Sequence, residues 1–188
     1  MKIIDFNFVI LSPEANYGLI KSTVRSIRGR YKDVAYCCVV GGRTSPKRMQ
    51  EIKTICPELY KGKDTITSLI NQGVKKGNSC WKYIVFEGVT MSPNRDKKYK
   101  NFIENEKNIL YPIITDYDRQ GNPLKCYTDF DEATLNGLFI HQKTLKEVGD
   151  FTDNPLKISK FLRIIFSSSL FTKNNISSLF LSSVAPKK

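Results

Sequence analysis

One histidine, His141, and one tryptophan, Trp81, are all that 188 residues supply of two side chains common in active sites. The cysteines number five, an odd set without the paired spacing of metal ligands. Cys37 and Cys38 are adjacent, while Cys56, Cys80 and Cys126 are scattered. That pattern argues against a zinc site and against a thiol nucleophile with a histidine base. It reads as reduced, mostly buried thiols of a cytosolic kind. Long apolar runs are also missing. The candidates near the C-terminus are broken by Arg163, Lys173 and many serines, so no membrane-spanning helix is expected. The opening MKIIDFNFVIL carries Asp5 and Asn7 and no small-residue cleavage site, which argues against a signal peptide. Acids are scarce beside bases, 18 against 30, for a formal net charge of +12. Six bases and no acid lie from Lys157 onward, so the remainder is only moderately basic. Such a charge suits a phosphate-bearing ligand, or solubility alone. The ordered basic and aromatic motifs of the usual nucleic-acid modules are absent, and no specific nucleic acid is expected as a partner.

What is present alternates. DFNFVILS, residues 5–12, reads as a buried strand closed by Pro13, and NYGLIKSTVRSIRGRY as a helix capped by Asn16. Its Leu19, Ile20, Val24 and Ile27 recur at helical spacing. DVAYCCVVGG is a second strand. SPKRMQEIKTI starts a helix, with Ser45 as cap and Pro46 in the first turn. DTITSLINQGVKKG is a third helix, with Asp64 as its cap and Gly77 as its stop. A third strand, YIVF, follows. NRDKKYKNFIENE reads as helical, NILYPIITDYD as a strand that turns through DRQGNPL into KCYTDF, ATLNGLFIHQ as a strand and KTLKEVGDF as a short helix. The expected fold is α/β: a mixed, mostly parallel central sheet with helices on both faces. Residues 156–188, rich in Ser, Phe, Leu and Lys, form a separate basic tail beyond a domain of residues 1–155. The tail reads either as a helix touching a membrane surface or as an atypical end.

The most pointed stretch is CWKYIVFEGVTMSPN, residues 80–94. An apolar run, Tyr83 to Phe86, ends on Glu87 with Gly88 beside it. A carboxylate there is either a strand-end acid bonded to backbone or a lysine, or a metal or ligand group at the carboxyl edge of an α/β sheet, where such folds put their sites. Asp116 and Asp118 spell a similar alternation, but DYDRQGNP reads more naturally as a hairpin turn. His141, after an apolar strand, reads as structural, and Trp81 as either packing or a stacking surface.

Three segments, in order, resemble the nucleotide-sugar-binding half of a family-2-type glycosyltransferase with the GT-A fold, over about Phe6 to Phe151. They are FVILSPEANYGLIKSTVRSI, SLINQGVKKGNSCWKYIVFEG and TLNGLFIHQKTLKEVGDF. The resemblance implies that a nucleotide-diphosphate sugar is bound through Pro13, Glu14, Asn16, Arg43 and Asn71. Trp81, Asn136 and Gly137 would lie on the side of an acceptor, which is a glycan, lipid or protein. A Mg²⁺ or Mn²⁺ ion would sit on Glu87, in the first place of the family's Asp-x-Asp motif, and Asp153 or Asp150 would serve as general base. The protein would be cytoplasmic, or peripheral at a membrane surface.

The chain departs from the family in three places. Val89 stands where the second motif carboxylate belongs. Gly41-Gly42-Arg43 replaces the usual acids after the second strand. No clear acidic pair follows Asp153. The expected function is therefore a glycosyltransferase-like protein of weak or lost activity. The alternative is a non-catalytic protein of the same fold that binds a glycan, nucleotide or protein.

Overall fold

The computed structural model describes residues 6–31, 33–91, 109–110, 114–117, 123–127, 139–142, 150 and 181–184. In chain order the elements are β1 (Phe6–Ser12), α1 (Tyr17–Arg30), β2 (Ala35–Val40), α2 (Pro46–Lys53), β3 (Leu59–Lys61), α3 (Ile66–Val74), β4 (Trp81–Phe86) and β5 (Val89–Met91). They continue with β6 (Ile109–Leu110), β7 (Ile114–Tyr117), β8 (Pro123–Tyr127), β9 (Phe139–His141) and β10 (Leu181–Val184). The fold is α/β.

One sheet has the order β3-β2-β1-β4-β9-β6. Its first four strands are parallel, and β9 runs antiparallel to both β4 and β6. The chain steps outward from β1 to β3 and then returns past β1 to β4. Right-handed crossovers put the outward helices on one face and the returning helix on the other. The packing follows that rule. Phe8, Ile10, Cys38, Val40, Tyr83 and Val85 share one core with Ile20, Val24 and Ile27 of α1 and Ile52 of α2. The alternate residues Val9 and Val39 meet α3, which lies so close that a Cβ on Gly73 would stand 2.2 Å from Val9 Cγ1. Each fully buried Ile or Leu here contributes about 1.5–3 kcal/mol relative to exposure. The expected alternation of strands buried on both faces is what this double cover requires.

A second sheet has the order β5-β10-β7-β8, with β7 and β8 antiparallel. The hairpin expected around DRQGNPL is this pair. NILYPIITDYD is divided between β6 and β7, which lie in different sheets.

Local chemistry sets the helix ends. The Asn16 side chain accepts from Leu19 N–H and the Ser45 hydroxyl from Arg48 N–H, as the sequence led us to expect. Asp64 is not the cap of α3. Thr65 is, accepting from Ser68 N–H, because Asp64 is drawn instead to Arg43. α3 ends at Val74, short of Gly77, whose φ of 72° reverses the chain before β4. Cys37, Cys38 and Cys56 are buried free thiols and Cys80 is an exposed one. Burial raises the Cys37 and Cys56 thiols to about 12, so both stay protonated. Among the described residues, no helix is long and apolar enough to cross a membrane.

Candidate functional site

The strand order reverses between β1 and β4, since β1 connects toward β2 and β3 on one side while β4 lies on the other. Open α/β sheets form a crevice at such a point, outside the carboxyl ends of the strands. Register puts Leu11 opposite Phe86, so the next residues, Ser12 and Glu87, meet at that crevice. Glu87 N–H donates to Leu11 O at 2.9 Å and carries the ladder one step beyond the strand.

Glu87 is half-buried and its carboxylate is held from two sides. Ser12 Oγ donates to Oε2 at 2.5 Å and the Asn16 N–H donates to the same oxygen at 3.1 Å. Asn16 caps α1, so the carboxylate lies at the positive end of a helix, where an anion is favoured. The turn that aims this N–H is tight. Ala15 adopts φ 53°, a conformation that costs an L-residue about 1–2 kcal/mol. Burial is the largest influence on Glu87 and lifts its carboxyl above the ordinary 4.5. The Ser12 and Asn16 bonds pull it back, and the nearby charge of Glu14 raises it again. Gly88 has φ 86°, and its N–H donates to Thr23 Oγ1 at 2.9 Å. A glycine stands beside the acid because the chain turns left-handed there.

The rest of the carboxyl edge is a close stack of loops. A Cβ on Gly41 would come within 2.3 Å of Pro13 O, and one on Gly42 within 3.0 Å of Gly62 O. Arg43 is bound by Asp64 through its N–H at 3.2 Å and its Nε at 3.1 Å. Its side chain remains 92% exposed, so the guanidinium is available to a further anion.

Pro13, Glu14, Asn16, Arg43 and Glu87 are therefore brought to one edge. Other candidates are not. Trp81 begins β4 at the opposite, amino edge, buried in the core and edge-on to His141 with ring centroids 4.9 Å apart. Asp150 lies at that same far end, paired with Lys75 just past α3 at 2.8 Å, so it does not share a site with Glu87. Asn71 is half-buried in the middle of α3, on the helix packed over β1 and β2. Asn136, Gly137 and Asp153 lie outside the described residues, as do Asp118 and the segment read as a helix before Ile109. Neither Ser12 nor Thr23 is given a role from the sequence, where Ser12 is read only as the end of the first strand; parallel pairing of the strands ending in Ser12 and Phe86 is the signal for Ser12.

The described donors do not by themselves make a divalent-ion site. Glu87 Oε2 already accepts two bonds, and Val89 is buried in β5 and carries no oxygen donor. Among the described residues no three His, Cys, Asp or Glu side chains cluster for a metal. Hard cations take six or more oxygens.

Compared with protein-family models and with curated proteins, the chain matches none.

Proposed function

We propose that the chain is a glycosyltransferase-like protein that binds a nucleotide-diphosphate sugar in the crevice between the carboxyl ends of β1 and β4. One observation carries this reading: the switch point brings Pro13, Glu14, Asn16 and Glu87 together, with the exposed Arg43 guanidinium on the same edge. Arg43 offers a forked donor to a diphosphate. The amino end of α1 lies next to it along the edge. Glu87, bonded to Ser12 and Asn16 through one oxygen, orders the loop that presents these groups.

Titration calorimetry with UDP and with GDP, each with and without Mn²⁺, tests the reading. Binding of at least one diphosphate is expected, with Mn²⁺ changing its affinity by less than tenfold. No heat with either nucleotide at millimolar concentration overturns it.

The second reading is a non-catalytic binding protein of the same fold. The internal bonding of Glu87 favours it, because one oxygen of the carboxylate left from the motif is already engaged by Ser12 and Asn16. A sugar-release assay on any donor that binds separates the two: turnover supports the transferase, and binding without turnover supports the alternative.

A further inference from the structure

The loops after β2 and β3 touch each other. Gly42 abuts Gly62, Arg43 pairs with Asp64, and Lys63 N–H donates to Ser68 Oγ in the first turn of α3 at 3.1 Å. The surface they share with the amino end of α2 is strongly cationic. Arg43, Lys47, Arg48, Lys61 and Lys63 are all exposed, against the acids Glu51 and Asp64. Among the described residues Lys47, Lys61 and Lys63 make no ion pair, and neither α2 nor α3 has an acid in its first turn. That charge opposes the helix dipoles, which favour anions at these ends. Among the described residues no acid neutralises these three lysines. Beside the lysines, at the first position of α3, stands Ile66, 44% exposed and the only large hydrophobic residue so exposed among the described ones.

We propose that this face, on the β3 side of the carboxyl edge, docks on an anionic lipid bilayer. Clustered Lys and Arg side chains are drawn to a negatively charged leaflet, and an aliphatic side chain among them enters the headgroup layer. A nucleic acid would leave Ile66 without a role. The neighbouring Tyr60 ring, which could stack on a base, already lies under the Lys76 ammonium at 4.6 Å. The proposal shares Arg43 with the nucleotide reading but does not depend on it, since Lys61, Lys63 and Ile66 have no part in that site.

Vesicle co-sedimentation of the full chain tests it, comparing phosphatidylcholine with phosphatidylcholine containing phosphatidylserine. The wild type should bind only the anionic vesicles and be released by salt. Lys61→Glu with Lys63→Glu should cut binding by roughly thirtyfold or more. Ile66→Ser should cut it severalfold. The control is Arg25→Glu with Lys53→Glu, an equal change of charge at exposed positions away from this edge, and it should retain most binding. Circular dichroism melts on every variant establish that each is folded. An equal loss in the control, or binding to a single-stranded RNA probe with none to anionic vesicles, overturns the proposal.

Discussion

The two ends of β4 each hold a charge against a helix terminus, and they do so to different effect. At the amino end Lys82 is fully buried, and its Nζ donates to Asn7 Oδ1 at 2.9 Å, Lys76 O at 2.7 Å and Gly77 O at 2.9 Å. The two carbonyls belong to the turn that ends α3, so a cation meets the negative end of a helix. At the carboxyl end Glu87 meets the positive end of α1. The electrostatics are mirror images. The surroundings are not. Three oxygens accept from Lys82 Nζ, matching the three donors of an ammonium, in a place water does not reach. Glu87 is half-open and takes both its bonds on one oxygen. A closed, matched charge is scaffold, whereas an open, half-engaged one leaves room for a ligand.

Removing each charge should expose that asymmetry. Lys82→Ala leaves the buried Asn7 amide oxygen and two part-buried carbonyls without their donor and removes a fully buried side chain, at a cost on the order of 3–5 kcal/mol by chemical denaturation. Lys82→Met, which keeps the bulk of the stem, should recover only part of it. Glu87→Ala orphans the Ser12 hydroxyl and the Asn16 N–H in a half-open place and should cost roughly 1.5–3 kcal/mol. Equal losses at the two ends would erase the distinction and make both charges scaffold.

Gly88→Ala sharpens the account of the carboxyl end. Its φ of 86° is strained for any residue with a Cβ, and the loss should be about 1–2 kcal/mol in a thermal or denaturant melt. A neutral outcome would mean that the turn after Glu87 relaxes freely.

The smallest effect is expected for Glu87→Gln and is best read against pH. Because burial raises the folded carboxyl above 4.5, the folded chain keeps a proton that the unfolded chain has already lost. Stability therefore falls as pH rises through the window from 4.5 to the raised folded value, and it is fully present below 4.5. Glutamine stays neutral throughout. The melting difference, mutant minus wild type, should thus be more positive at pH 7 than at pH 4, with less than about 1 kcal/mol lost at pH 7. The opposite trend would show that the Ser12 and Asn16 bonds outweigh burial.

Much of the fold could be read because its signals are local. Buried runs of Val, Ile, Phe and Cys marked β1, β2 and β4. Helical spacing marked α1, and Asn16 and Ser45 announced their caps. β3 and β5, three residues each, carry too little periodicity to announce themselves, and their places come from pairing with distant strands. At the candidate site, the strand-end position of Glu87 was legible, whereas the left-handed turn that requires Gly88 was not. The hydroxyl of Ser12, 75 residues away, became a partner only once β1 and β4 were side by side. The same long-range pairing separates Trp81 from Glu87, because six residues of extended chain carry them to opposite edges of one sheet. The resemblance alone marks Asp150 as a candidate base. Lys75, close only in space, shows where it lies.

The claim that the β1–β4 crevice takes a nucleotide diphosphate is tested most directly by following backbone amide shifts of the full chain while UDP or GDP is added. The account predicts progressive shifts at Asn16, Gly41, Arg43 and Glu87 and unmoved amides at Gly77 and Lys82. Shifts confined to the Gly77–Lys82 end, or no shifts with either nucleotide at millimolar concentration, would contradict it.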